Sequence, residues 1–149
     1  METLYGDAGC SVEKGKRKVL HVWAGWAGKH AALAREYEVE EIRLESSSLK
    51  GRRSVDFLLE FPELRGVSAD VWPPIGLSAL GRLSRLETLS LSFGMSWRTC
   101  DQLAAVDLSG LSELRRADVM LCPALGSVLE WRLGAWAITS GCRSAMPWP

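Results

Sequence analysis

The segment Leu86-Glu-Thr-Leu-Ser-Leu91 has the apolar spacing L-x-x-L-x-L, and three looser copies of this spacing occur elsewhere in the chain. The other copies begin at Val39, Leu64 and Leu114, so successive starts lie 25, 22 and 28 residues apart. A recurrence of this length predicts a stack of short strands joined by helical returns, in which each unit buries its apolar face against its neighbours. Such a stack offers one broad open surface and no built-in catalytic cleft.

The composition is that of one globular domain. The chain has 149 residues, of which 47% are hydrophobic and 24% are charged. Because 18 basic side chains are matched by 18 acidic ones, no net field attracts nucleic acid or an anionic membrane. Neither a secretory signal nor an apolar run of about 20 residues is visible, so we expect a cytoplasmic protein that binds no nucleic acid and no membrane.

Four cysteines are spread along the chain without a C-x-x-C pair or a nearby pair of histidines. This spacing argues against a zinc site, and we expect no metal and no cofactor. Free thiols in a reducing compartment are the favoured interpretation, with a disulfide left open as an alternative. The four residues are Cys10, Cys100, Cys122 and Cys142.

The pattern divides the chain into three segments. Residues 1–17 are polar and contain glycine, which predicts a flexible lead-in. Residues 18–122 carry the repeated spacing, beginning with a β-branched strand at Lys18–Trp23 and a stretch of helix formers up to Tyr37. Strands that alternate with returns of this length favour parallel pairing. Residues 123–149 are poor in charge and rich in tryptophan, and they are expected to be either a C-terminal cap or a disordered tail.

The returns between the strands have a period of their own. Apolar residues recur at every third position before the third strand, a spacing that predicts a tight helical or 3-10 segment. The strands repeat at every second residue, so both patterns can face one shared core. The leucines of this return are Leu77, Leu80, Leu83 and Leu86.

Three stretches, Val55–Arg65, Ile75–Leu91 and Val106–Leu114, resemble bacterial leucine-rich repeat proteins. The resemblance implies an α/β fold: a short, irregular leucine-rich repeat solenoid with a parallel β-sheet on its concave face and helical or 3-10 returns. It also implies a protein that acts by binding another protein, for example an immunity-like or regulatory protein that masks a partner.

The resemblance also points to one position in each unit. Members of this family often have Asn or Cys three residues after the last strand leucine, where the side chain bonds backbone groups of neighbouring turns. Ser47 and Cys122 suit that role in this chain, whereas Trp72 and Gly94 do not. The resemblance therefore implies irregular turns.

Strand alternation places every second side chain on the outer face of the sheet. Because Trp and Arg are enriched in interface hot spots, Trp23, Arg43 and Arg116 are the preferred contacts on this face. The competing interpretation of each such residue is that it only lies on the solvated face of the sheet and binds nothing. The predicted partner-binding residues are Trp23, Arg43, Glu45, Ser68, Asp70, Ser90, Ser92, Arg116 and Asp118.

No residue pattern indicates catalysis, so a non-enzymatic protein is expected. The competing hypothesis is a small-ligand-binding protein or an enzyme that uses the neighbourhood of His21, Trp23 and Glu45. It requires a pocket with convergent polar groups. A third possibility is a truncated remnant without independent function. The identity of the partner and the oligomeric state do not follow from the sequence.

Overall fold

A computed structural model of the chain describes residues 1–71, 75–93, 110–120 and 143–144, with only the backbone described at 93, 119–120 and 143–144. Helix α1 spans Gly28–Glu36, and three 3-10 helices span Ser46–Leu49, Asp56–Glu60 and Ser78–Arg82. The strands are β1 (Glu2–Gly6), β2 (Cys10–Lys14), β3 (Lys18–Val22), β4 (Glu41–Leu44), β5 (Gly66–Val71), β6 (Thr88–Phe93), β7 (Arg116–Met120) and β8 (Arg143–Ser144).

The strands form one open, mixed sheet in which their spatial order follows the chain, from β1 to β8. Every pairing from β3 onward is parallel, as the sequence predicts. The pairs β1–β2 and β2–β3 are antiparallel, so the expectation of a purely parallel sheet is wrong at this end. The α/β class is confirmed.

The parallel strands pair residue for residue, so their side chains form straight rows across the sheet. One row of apolar side chains crosses β3 to β7 at matching positions and is buried. Because burial of one such side chain contributes about 1.5–3 kcal/mol, the row is a main source of stability. Its members are Leu20, Ile42, Val67, Leu89 and Ala117.

The return between β5 and β6 confirms the predicted 3-10 conformation. The amides of Leu80, Leu83 and Leu86 each donate to the carbonyl three residues earlier. A 3-10 helix has three residues per turn, so these leucines share one side, and all three are buried. The same series of hydrogen bonds joins residues 55, 58, 61 and 64, at positions 22 residues earlier.

Hydrogen bonds at the strand starts also recur from strand to strand. The carbonyl of Glu40 accepts from the amides of Arg65 and Gly66. The carbonyl of Arg65 accepts in the same way from residues 87 and 88, and that of Glu87 from residues 115 and 116. The starts of β5, β6 and β7 are therefore fixed to the preceding strand in the same way.

Residues 1–17 are not the flexible lead-in that the sequence led us to expect. They form β1 and β2, and β2 pairs along its whole length with β3. Cys10 and Val12 are fully buried, which supplies the apolar contact that a frayed segment lacks. The carboxylate of Asp7 accepts hydrogen bonds from the amides of Gly9 and Cys10 and so fixes the turn between the two strands.

The predicted cap or tail at 123–149 lies outside the described residues, except for the short strand β8. The division at residues 18–122 and 123–149 therefore stays a prediction. Cys10 is a free thiol, and the other three cysteines also lie outside the described residues. Within the described part of the chain, no helix has both the length and the apolar character needed to cross a bilayer.

Candidate functional site

The outward side chains of the parallel strands form rows like those of the core. The pairing aligns His21, Arg43, Ser68, Ser90 and Asp118 across β3 to β7. This is the outward column expected from strand alternation, and its alignment is confirmed. We call the surface that carries these side chains the polar face. Whether it binds a partner stays a prediction.

The two central strands carry only short side chains on the polar face, apart from Asp70. They present Gly66 and Ser68 from β5 and Thr88 and Ser90 from β6. Longer side chains rise from the strands on either side. The centre of the polar face is therefore lower than its flanks.

Two adjoining depressions occupy this low region. The first has a volume of about 390 Å³ and lies between Arg43 and Arg116, over Ser68 and Ser90. The second has a volume of about 300 Å³ and extends over the same two serines toward Asp70. We call the two depressions together the trough. It runs along the strand direction over β5 and β6.

Two arginines flank the first depression, and Arg43 also lines the second. Arg43 Nε donates to Glu41 Oε1 at 2.9 Å, and Arg116 Nε donates to Asp118 Oδ2 at 2.5 Å. Each pair lies within one strand. Among the described residues, no hydrogen-bond partner is seen for the terminal guanidinium nitrogens of Arg43 and Arg116.

Sequence reasoning missed Arg17, which it placed in the lead-in. Arg17 Nη2 lies 2.5 Å from Glu87 Oε2, and its Nη1 donates to Thr88 Oγ1 at 3.1 Å. The side chain therefore reaches across the sheet from the residue before β3 to the start of β6. It lines a further depression of about 460 Å³ together with Arg43 and Arg116. In the sequence, this role of Arg17 is indicated only by its position directly before the first parallel strand.

The carboxyl end of β3 carries an aromatic and ionic cluster. His21 Nε2 lies 2.9 Å from Glu45 Oε1, and the His21 ring meets the Trp23 ring edge-on at 5.3 Å between centroids. Trp23 Nε1 donates to the carbonyl of Ala8 at 2.7 Å, and 37% of the residue is exposed. The hairpin of β1 and β2 thus holds the predicted aromatic anchor in place.

Asp70 is the carboxylate at the far end of the trough. Partial burial and the negative charge of Glu45 raise the pKa of its carboxyl group. No cation of the described residues forms an ion pair with Asp70, whereas Glu45 already contacts His21. The trough therefore begins between two arginines and ends at a carboxylate that lacks a counterion within the described structure.

The structure brings together the residues of the competing enzyme hypothesis, since His21, Trp23 and Glu45 are in contact. A His–Glu pair can exchange a proton with a bound molecule. In the parts of the chain that the structure describes, however, no serine or cysteine donates a hydrogen bond to His21, and no group of three potential metal ligands occurs. The pair lies on an open face, where water screens its charges.

His30, the second histidine, belongs to the interior. It is fully buried, its Nδ1 accepts from the amide of Ala27 at 2.9 Å, and its ring lies 5.5 Å from that of Trp26. Since Nδ1 accepts, the proton of the neutral ring is on Nε2, which has no partner among the described residues. Burial and the charge of Lys29 lower the pKa of His30.

Comparisons with protein-family models, with curated proteins and with solved structures find no match to this chain.

Proposed function

We propose that this protein is a short leucine-rich repeat solenoid that binds another protein through its polar face, without catalysis. The observation that carries the proposal is the row formed by His21, Arg43, Ser68, Ser90 and Asp118. Five strands present polar side chains at matching heights, while the opposite row is buried. Protein interfaces carry polar groups of this kind, whereas small-molecule sites are mostly apolar cavities. The polar face therefore suits a macromolecular partner better than a small molecule.

The solenoid part of the proposal is supported by the recurrence of local hydrogen bonds. The 3-10 series at residues 55–64 and 77–86 have the same spacing, offset by 22 residues. The bridge between Ser54 and Gly76 joins positions with the same offset. In addition, the hydroxyl of Ser47 donates to the carbonyl of Trp23 in the preceding turn, as the resemblance implies for that position.

The affinity part of the proposal rests on Trp23 and the arginines. The indole of Trp23 is partly exposed, and its nitrogen already donates to the carbonyl of Ala8. A partner can therefore cover its apolar ring without leaving an N–H group unpaired. Guanidinium groups such as those of Arg43 and Arg116 suit carboxylates or backbone carbonyls of a partner. A cytoplasmic location and an immunity-like or regulatory role are part of the proposal through the resemblance alone.

Site-specific crosslinking tests the proposal. A photocrosslinking amino acid is placed at Ser90 on the polar face, and at Ser84 as the matched control, since both residues are exposed. After irradiation in a lysate of the source cells, the Ser90 protein should yield a discrete adduct that the Ser84 protein does not. Trp23→Ala in the Ser90 background should weaken the adduct. The same background adducts from both positions, or none, would contradict binding through this face.

The second candidate is a small ligand in the trough, favoured by the contact of His21 with Glu45 and by the depression of about 300 Å³ beside them. It predicts that dialysis against a small-molecule extract of the source cells raises the unfolding midpoint of wild type. His21→Ala should then abolish the increase. An unchanged midpoint argues for the protein partner.

A further inference from the structure

We propose that the protein binds a phosphate group in a depression on the return between β4 and β5. This depression has a volume of about 460 Å³ and shares no lining residue with the trough. We call it the basic depression. The site goes beyond the proposed function, which uses the polar face alone. The lining residues are Trp26, Lys50, Gly51, Arg52, Arg53 and Ser54.

The basic depression carries a positive charge that the described structure does not compensate. Three cations, Lys50, Arg52 and Arg53, line it, and no acidic side chain does. Within the described part of the chain, none of the three forms an ion pair, whereas both arginines of the polar face do. Asp56, the nearest acidic residue along the chain, does not line the depression. Three cations on one short loop favour an anion that carries more than one charge.

A tight turn brings two of these cations together. The amide of Arg52 donates to the carbonyl of Leu49 at 3.0 Å. Between them, Lys50 has φ −58° and ψ 128°, and Gly51 has φ 79°. These values define a type II turn, whose third residue needs a positive φ that glycine adopts without strain. The sequence Leu-Lys-Gly-Arg therefore holds Lys50 and Arg52 on one turn.

The guanidinium group of Arg52 is fixed from two sides. Its Nη2 donates to the carbonyl of Trp26 at 3.0 Å, and its central carbon lies 4.8 Å from the centroid of the Phe57 ring. The rings of Trp26 and Phe57 are stacked, with their centroids 4.6 Å apart. Because Arg52 is ordered before a ligand arrives, binding costs less side-chain entropy than it does at a mobile arginine.

The residue types favour a phosphate group over a carboxylate. Guanidinium groups match the geometry of phosphate oxygens, and a lysine adds a point charge. A phosphate monoester carries a charge of about −1.5 to −2 at pH 7, whereas a carboxylate carries only one. The hydroxyl oxygen of Ser54 accepts from the amide of Asp56 at 3.3 Å, so its proton can be donated to a phosphate oxygen.

Recognition stops at the phosphate group. Trp26 is the aromatic residue that lines the basic depression, and it is only 9% exposed. One of its ring faces is already stacked on Phe57. Little aromatic surface is therefore left for a nucleobase, and the charge of the ligand must supply the affinity.

A titration with inorganic phosphate tests the site. Amide chemical shifts of the ¹⁵N-labelled full-length protein are followed at about pH 7.5, with acetate at equal ionic strength as the control anion. Phosphate should shift the amides of residues 50–54 in a saturable way and bind about fivefold more tightly than acetate. Equal responses to the two anions, or no saturation by phosphate, would overturn the inference.

A matched pair of variants tests the assignment of the cations. Arg53→Gln should weaken phosphate binding about two- to fivefold. Arg82→Gln removes the same charge at another exposed position, outside the basic depression, and should leave the binding unchanged. Arg52→Lys keeps the charge but loses the planar group, so it should also weaken the binding. Equal weakening by Arg53→Gln and Arg82→Gln would mean that phosphate responds to overall charge and that no site exists.

A phosphoserine peptide in the same titration distinguishes the sources of the phosphate group. Tighter binding of the peptide than of inorganic phosphate assigns the group to a phosphorylated protein, whereas equal binding assigns it to a small molecule. Both results uphold the site, and saturation by neither ligand overturns it. Because the basic depression lies outside the polar face, these outcomes do not depend on whether Ser90 yields an adduct.

Discussion

At Gly66 the polar face leaves no room for a side chain. A Cβ placed there would lie 2.8 Å from Glu41 Cγ and 2.9 Å from Thr88 Oγ1. Gly66→Ala must therefore displace Glu41, which holds Arg43, and should lower the free energy of unfolding by about 1–3 kcal/mol. Urea denaturation measures this loss. Gly25→Ala serves as the control, because a Cβ at Gly25 meets nothing within 4 Å. Equal stability of the two variants would show that Glu41 moves aside freely.

His30 should make stability depend on pH. Its pKa is lowered in the folded chain, so the unfolded chain binds the proton more readily. The contribution to stability is present above the ordinary histidine pKa of about 6.5 and is lost as pH falls below it toward the folded pKa.

The measurement is the free energy of unfolding at about pH 7.5 and about pH 5, where surface carboxyl groups are still ionised. His30→Asn retains an acceptor for the amide of Ala27 and does not titrate, so its stability should change less between the two values. A variant with the full wild-type pH dependence would assign that dependence to another group.

At the scale of elements, the turn between β1 and β2 depends on one carboxylate. Asp7 Oδ1 accepts from the amides of Gly9 and Cys10, and Oδ2 accepts from Lys29 Nζ at 2.9 Å. The Gly9 amide and then Lys29 hold the pKa of Asp7 well below its usual range. Stability from this group is present above the unfolded carboxyl pKa of about 3.9 and is lost as pH falls toward the lower folded pKa.

Asp7→Ala should therefore destabilise the hairpin more than Asp7→Asn, which keeps an acceptor oxygen. Amide hydrogen exchange is the measurement, with faster exchange expected in β1 and β2 of the alanine variant. Equal exchange rates in the two variants would mean that the charge, and not the acceptor, organises the turn.

The elements differ in how far the sequence predicts them. The return at Ser78–Arg82 follows from leucines three residues apart, because that spacing fits a tight helical or 3-10 turn. The hairpin does not follow, because Cys10, Ser11 and Val12 are three consecutive buried residues and show no alternation. Its stability comes from Asp7 and from pairing with β3, neither of which a local pattern reveals.

At the scale of the whole molecule, the hairpin covers an edge of the parallel sheet. The pairing of β2 with β3 satisfies backbone groups that an edge strand would otherwise expose. Deletion of residues 1–15 should therefore expose β3 and promote association. Light scattering should show a larger mass than for the full chain at equal concentration. An unchanged mass would mean that β3 does not need this cover.

The candidate site shows the same division between what the sequence predicts and what it does not. The row from His21 to Asp118 follows from strand alternation. Side chains alternate between the two faces of a strand, and parallel strands in register place equivalent residues side by side. The trough does not follow, since it depends on short side chains at Ser68 and Ser90 lying between longer ones. Arg17 does not follow either, because its contact with Glu87 joins residues 70 positions apart.

The row-by-row register has a consequence for how such a molecule diversifies. Ser68 and Ser90 face outward and contribute nothing to the buried rows, so each can be exchanged during evolution at little thermodynamic cost. The outward surface can thus change one strand at a time while the buried rows beneath it stay intact.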